Sequence, residues 1–247
     1  MLPVVLLMVI AAMAQRIAGL GFAMLVSPFI VLLLGPHHGI VLVNLCGVFS
    51  SAMILRHVWR NIAWRRYWWL IVPALVGSVP GSLLANGLPT GPLNVVVGGV
   101  VLAALATTGV LSRRGHVMAH SGPRSGIFGF FSGFSNALSG VGGPMLTAYA
   151  ELTRWKQKEF AATLQPFFMV AGAFSATTKV LADHSTLPTF AWWQWIVLAV
   201  GILAGVQLGN RLAPRIHDVA ARRFVLGLAV LGAVIAIAKG IADTVGG

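Results

Sequence analysis

Long apolar blocks separated by short polar connections dominate this chain. They lie near Ile40–Leu55, Trp69–Leu84, Val95–Leu111, Phe167–Leu181, Trp195–Leu208 and Phe224–Ala238. Each approaches the ~20 residues that a bilayer-crossing helix needs. Two further apolar stretches, near residues 3–34 and 125–153, are each interrupted by glycine. The first break reads Gln15-Arg16-Ile17-Ala18-Gly19-Leu20-Gly21-Phe22, and the second Asn136-Ala137-Leu138-Ser139-Gly140-Val141-Gly142-Gly143-Pro144. Hydrocarbon offers the backbone no hydrogen bonds, so a helix broken at membrane depth persists only where protein or a polar cavity satisfies the freed groups. Matching breaks in the two halves of a membrane chain point to the binding site of a transporter.

The halves align internally. One offset pairs Gln15 with Asn136, Gly19 with Gly140, Gly21 with Gly142 and Asn44 with Gln165. A slightly larger one pairs Gly77 with Gly205, Gly81 with Gly209, Leu84 with Leu212, Ala85 with Ala213 and Gly99 with Gly227. The expected fold class is an all-α polytopic membrane protein of two inverted repeats, residues 1–120 and 121–247. Each repeat is expected to hold a broken re-entrant helical hairpin followed by three transmembrane helices.

Charge placement drives the inversion. If every apolar block crossed once, Arg56, Arg60, Arg65, Arg66, Arg113, Arg114 and Arg124 would share one side of the membrane. Arg154, Lys156, Lys158, Arg211, Arg215, Arg222 and Arg223 would share the other, leaving no preferred orientation. Reading residues ~3–34 and ~125–153 as hairpins that enter and leave on one side gathers all of these charges on a single face. That face is then cytoplasmic and the termini periplasmic or exterior. Lys179 and Lys239 fall towards the outer ends of their helices.

Composition agrees. The chain of 247 residues is 57% hydrophobic and 9% charged, with a mean hydropathy of +0.88, which excludes an ordinary soluble domain. The net charge of +12 sits in connections between apolar runs rather than in a nucleic-acid-binding patch. A single cysteine, Cys46, excludes an intrachain disulfide and a cysteine-based metal cluster. Ala12-Met13-Ala14 imitates a signal cleavage site, but no Lys or Arg precedes the apolar run, so this segment is read as part of the mature protein.

The breaks carry the candidate chemistry. A helix that starts at a glycine break presents unpaired N–H groups and the positive end of its dipole, which suits an anion. Arg16, flanked by apolar segments, is expected at membrane depth, where Arg suits bidentate contact with an oxyanion. Snorkelling to an interface or pairing with hairpin carbonyls would serve it equally. The buried amides Gln15, Asn136, Asn44 and Gln165 are read either as donors to an anion or as interhelical hydrogen bonds. Ser139 offers a hydroxyl to a ligand or to local backbone. Pro144 suits a first helical turn. Gly77, Gly81, Gly205 and Gly209, four apart, read as packing surfaces, and Trp68, Trp69, Trp192, Trp193 and Trp195 as interfacial anchors.

Gly129-Phe130-Phe131-Ser132-Gly133 followed by Ser139-Gly140-Val141-Gly142-Gly143-Pro144 resembles the glycine-rich segment of the sulfite exporter TauE/SafE (TSUP) family. Ala18-Gly19-Leu20-Gly21-Phe22, with Pro28 beyond it, is similar to the family's N-terminal copy, with Phe22 and Ala23 where the second copy has Gly143 and Pro144. Gly201, Gly205, Gly209, Leu212 and the basic run through Arg223 also fit. The resemblance implies a bacterial inner-membrane secondary transporter of sulfite, thiosulfate or an organosulfonate. The expected substrate-binding residues are Gln15, Arg16, Gly19, Gly21, Asn44, Asn136, Ser139, Gly140, Gly142, Gly143 and Gln165. The alternatives are a channel-like anion pathway or a carrier of another small organic anion.

No cofactor or metal is expected, and a coupling proton or cation is left open. The acidic residues Glu151, Glu159, Asp183, Asp218 and Asp243 avoid the middles of the spans, and His37, His38 and His184 read as outer-face loop residues. An intramembrane enzyme is disfavoured. The chain lacks a buried carboxylate pair, a His–Glu cluster or a phosphate-binding loop, and no histidine shares the expected depth of Ser139.

Overall fold

The computed structural model of the chain describes residues 1–18, 22–114, 118–212 and 218–245. Among them run α1 (Leu2–Ala18), α2 (Phe22–Leu34), α3 (Pro36–Val58), α4 (Trp64–Gly87) and α5 (Thr90–Arg114). The second half contributes α6 (Gly122–Ser139), α7 (Gly143–Leu152), α8 (Gln157–Ala182), α9 (Trp192–Leu212) and α10 (Asp218–Val245). Both glycine breaks fall between helices. Gly19, Leu20 and Gly21 themselves lie outside the described residues.

Lengths separate two kinds of helix. α3, with 23 residues, reaches about 35 Å at 1.5 Å per residue and can cross a bilayer. Five helices of the described chain are long and apolar enough to do so: α3 (continued to Asn61), α4, α8, α9 and the Leu226–Val245 stretch of α10. α5 runs through Arg114, with an apolar stretch over Thr90–Ala103. α2 and α7, of 13 and 10 residues, are too short to cross. The chain is a multi-pass, all-α membrane protein.

Close approach between helices is set by glycine. A Cβ on Gly77 would strike the carbonyl of Phe130, and one on Gly129 or Gly133 the carbonyls of Leu70 or Ala74. Gly81 likewise faces the Phe134 carbonyl at 2.5 Å. Residue numbers rise together along this seam, so α4 and α6 are parallel. Gly201, Gly205 and Gly209 meet Val5, Val9 and Arg16 in the same sense, making α9 and α1 parallel. Each hairpin's first arm therefore packs on the second long helix of the other half.

The remaining main seams run the other way. Gly91 faces Thr244 and Gly98 faces Ala233, so α5 and α10 are antiparallel. Gly172 of α8 faces Asn44 and Val48 of α3, while Gln15 bonds both Ser51 of α3 and Gln165 of α8. That register makes α3 and α8 antiparallel. They are also the most enclosed of the long helices, with 61% of their apolar windows buried against 28% for α10.

Two contacts identify one end of the bundle. The Arg66 guanidinium lies 4.6 Å from the Trp155 ring centroid, and the Ala63 N–H donates to Thr163 Oγ1 at 3.0 Å. The basic connections before α4 and before α8 thus sit together, where an eight-span arrangement would have separated them. At this end the Met118 N–H donates to the Leu152 carbonyl at 2.7 Å, so the α6–α7 pair leaves beside where it enters. Trp68 and Trp69 are exposed at this end, and Trp192 and Trp193 are exposed at the start of α9. Val72, Val76 and Leu83 of α4, Val197 and Val200 of α9, and Val230 and Val234 of α10 face outwards. Such an apolar exterior suits lipid rather than water.

Adding one methyl at the α4–α6 seam should be felt at once. Gly133→Ala is expected to cost about 1–3 kcal/mol by overpacking, read as a lowered Tm in detergent. Gly99→Ala, where a Cβ meets nothing within 4 Å, should leave the Tm unchanged or raise it.

Candidate functional site

The second break is built from glycine and serine. α6 ends at Ser139, and Gly140 closes it with φ +77° while donating its N–H to the Asn136 carbonyl at 2.7 Å. That left-handed conformation is strained for residues with a Cβ. Three of the groups freed by the break find hydroxyls. Ser27 Oγ donates to the Ser139 carbonyl (2.6 Å), Ser132 Oγ to the Gly142 carbonyl (2.8 Å), and the Val141 N–H donates to Ser139 Oγ (3.3 Å). α7 then starts at Gly143 with Pro144 in its first turn, as its sequence suggests.

A cavity of about 40 Å³ opens at this point. It is lined by Gln15 of α1, Phe22, Ala23 and Met24 of α2, Val43, Asn44, Gly47 and Ser51 of α3, Asn136 and Gly140 at the second break, Gly143 of α7 and Phe168 of α8. The volume exceeds what a single water needs. Two helix N-termini, those of α2 and α7, reach it together. The first-turn N–H groups of α7 have no intrahelical acceptors, and its dipole presents its positive end to this space, beside the first turn of α2.

The amides around it form a buried chain. Asn136 Nδ2 donates to Asn44 Oδ1 at 2.8 Å, and Asn44 Nδ2 donates to the Ile40 carbonyl at 3.0 Å. Ser50 Oγ donates to Gln15 Oε1 at 2.6 Å, while Gln15 Nε2 faces Ser51 Oγ at 3.4 Å and Gln165 Oε1 at 3.3 Å. Gln15, Asn44, Asn136 and Gln165 are all at most 5% exposed. Among the described residues Asn136 Nδ2 makes this one bond, which leaves its second N–H without a partner there.

Of the residues singled out in the sequence, Gln15, Asn44, Asn136, Gly140 and Gly143 share the cavity wall, and Gln165 is tied to it through Gln15. Gly142 stands just behind, where a Cβ would press on the Ser132 carbonyl at 2.7 Å. Gly19 and Gly21 lie outside the described residues. Ser139 does not line the cavity; its Oγ donates to the Ser135 carbonyl at 2.8 Å and serves the turn.

Arg16 goes elsewhere. One residue along a helix rotates the side chain by about 100°, so Arg16 leaves Gln15's face and turns to α9. There its Nε donates to Asn210 Oδ1, and its stem packs on Gly209. Arg16, expected beside Gln15 at the break, is thus placed on the α1–α9 seam. Ser27, Ser50, Ser51, Gly47 and Phe168 were not anticipated. For Ser51 and Gly47 the signal was present, since both fall on the Asn44 face of α3 at helical spacing.

Two broken hairpins that meet at a cavity of mixed amide and apolar lining, inside a shell of apolar membrane helices, fit a multi-pass membrane transporter. Sequence comparison then places it more narrowly. A model of the sulfite exporter TauE/SafE family matches residues 4–236, and the chain belongs to that family. No curated protein and no solved structure matches it significantly.

Arg16→Ala should keep the KM for a transported anion within about twofold of the parent, because its removal leaves the cavity wall intact. Asn136→Leu should lower uptake at least ~10-fold, since it removes a cavity donor and strands the Asn44 carbonyl oxygen. Both are read by proteoliposome uptake with protein of verified monodispersity.

Proposed function

We propose that this protein is a secondary transporter of a small sulfur-containing oxyanion: sulfite, thiosulfate or a short organosulfonate. The observation that carries the proposal is the convergence of the α2 and α7 N-termini on one cavity beside Asn136, Gln15 and Asn44. Backbone N–H groups, amide donors and two positive dipole ends would hold the anion's oxygens without a full countercharge. Gly19, Gly21, Gly140, Gly142 and Gly143 would let it approach the backbone closely. The known family supplies the sulfur-anion class.

Alternating access follows from an inverted relation between residues 1–120 and 121–247. Four packing directions support that relation. The corresponding long helices α3 and α8 are antiparallel, as are α5 and α10, while the exchanged pairs α1–α9 and α4–α6 are both parallel. A two-fold axis in the membrane plane produces this combination. Rocking of one set of helices against the other would open the cavity to each side in turn. The adjacent basic connections at Arg66 and Trp155 support a cytoplasmic assignment for that end, in a bacterial inner membrane, with both termini outside.

Two measurements test these readings. Purified protein in proteoliposomes is expected to take up labelled sulfite, thiosulfate or a taurine-like sulfonate saturably, with mutual competition, and an imposed pH gradient will reveal proton coupling. Flux that does not saturate would favour a channel, and no uptake of any anion by folded protein would sink the substrate class. For orientation, Arg60→Cys and Asp243→Cys are made in a Cys46→Ala background. A membrane-impermeant maleimide applied to intact spheroplasts should label only the Asp243→Cys protein. The reverse pattern would invert the orientation.

A further inference from the structure

One buried charge has no role in the cavity. Lys179, in the last turn of α8, has 0% of its surface exposed. Its Nζ donates to Asn86 Oδ1 of α4 at 3.2 Å, and Asn86 Nδ2 returns a bond to the Lys179 carbonyl at 3.1 Å. Among the described residues this neutral amide is its only hydrogen-bond partner. An ammonium has three donors, and burying it without an anion is strongly unfavourable.

Its position along α8 connects it to the cavity. Gln165, Phe168, Gly172, Ser175 and Lys179 are spaced three and four apart and so share one helix face. Gln165 bonds Gln15, Phe168 lines the cavity, and Gly172 faces Asn44. From Gly172 to Lys179 is seven residues, a rise of about 10 Å. Ser175, between them, is fully buried and its Oγ has no hydrogen-bond partner among the described residues. Across the seam His37, at the start of α3, is within electrostatic reach of Lys179. Ser82 Oγ and Thr178 Oγ1, 2.8 Å apart, join α4 and α8 beside it.

Among the described residues no carboxylate pairs with Lys179, although Asp183 lies within electrostatic reach of His37. Asp183, one turn beyond Lys179, accepts a bond from the Ser185 N–H at 2.9 Å. Hydrogen bonds from Ser185 hold the Asp183 carboxyl below the usual carboxylate range, so it stays charged but bound to Ser185. A cation, a hydroxyl without a hydrogen-bond partner among the described residues and a histidine therefore face the same seam, with Asp183 at its outer edge.

We propose that Lys179, with Ser175, forms a second binding station for a small oxyanion, where the transported ion pauses between the central cavity and the medium. This rests on the anion-transport reading above. An ammonium attracts the anion into the seam, and the weaker, uncharged donors of the cavity receive it one short step further in. Two sites of unequal strength let an ion enter readily without being trapped.

A purely structural clamp between α4 and α8 would use the same two residues, and charge separates the possibilities. Lys179→Gln keeps an amide-length side chain without the charge. Asn86→Asp keeps the Lys179 contact while supplying a fixed anion to compete with the ligand. Lys179→Arg preserves the charge.

The probes are labelled sulfite and thiosulfate, measured as proteoliposome uptake and as equilibrium binding to the purified full-length protein. If Lys179 is a station, Lys179→Gln and Asn86→Asp should each raise KM and Kd at least ~10-fold, and Lys179→Arg should stay within about threefold. Asn86→Asp should do so with an unchanged or raised Tm, so misfolding cannot account for it. Parent-like KM and Kd in Asn86→Asp and Lys179→Gln would overturn the station and leave the transporter standing. A parent protein that neither binds nor carries either anion would overturn the transport reading, and the station with it.

Discussion

A helix that stops inside a bilayer strands N–H and C=O groups where no water can reach them, and the centre of this protein is organised around meeting those groups. At the second break the Ser139 and Gly142 carbonyls are taken by hydroxyls of Ser27 and Ser132, and the Val141 N–H by Ser139 itself. Ser27 belongs to α2 of the other hairpin, so that helix must lie against the second break for the break to be tolerated. Bringing them together sets the first turns of α2 and α7 on the same small space, with Gln15, Asn44 and Asn136 around it. The cavity is what the surrounding helices leave there.

The seams that hold this arrangement lack side chains where they matter most. Without a hydrophobic force between helices in lipid, association depends on close packing, and glycine allows backbones to touch. Gly77, Gly81, Gly129 and Gly133 join α4 to α6, and Gly201, Gly205 and Gly209 join α9 to α1. Each first hairpin arm is gripped by a long helix of the opposite half, so neither half is a separate folding unit in the packed molecule. The polar α3–α8 seam runs through the middle, carrying Asn44, Ser51 and Gln165 near the cavity and Lys179 at its far end. Packing seams and polar seam thus differ in kind: the first bring backbones into contact through glycine, and the second gathers the buried amides.

The contrast between Gln15 and Arg16 shows how finely burial sorts chemistry. The residues are adjacent, yet one faces the cavity and the other α9. Arginine can reach Asn210 while its stem covers Gly209, so its charge does not have to be desolvated at the centre. The amide costs less to bury, and with Ser50, Ser51 and Gln165 around it nearly all its hydrogen-bonding capacity is used. Lys179 breaks this economy. Its charge is wholly enclosed beside a neutral partner, and for that reason it stands out from the other basic residues.

Much of the architecture was legible in the chain alone. Block lengths determined which helices could cross, since a bilayer fixes the number of residues required. Glycine and proline determined where the second hairpin breaks, because only certain residues adopt the Gly140 backbone angle or start a helix as Pro144 does. The spacing of Gly77, Gly81, Gly205 and Gly209 foretold close seams, as four residues bring side chains back to one helix face. Partners and directions were not legible. That Ser27 would serve Ser139, that Arg16 would turn from the cavity, and that Lys179 would be enclosed beside Asn86 depend on residues far apart in sequence. A one-dimensional pattern records which face a residue occupies, whereas only the packed helices decide what that face meets.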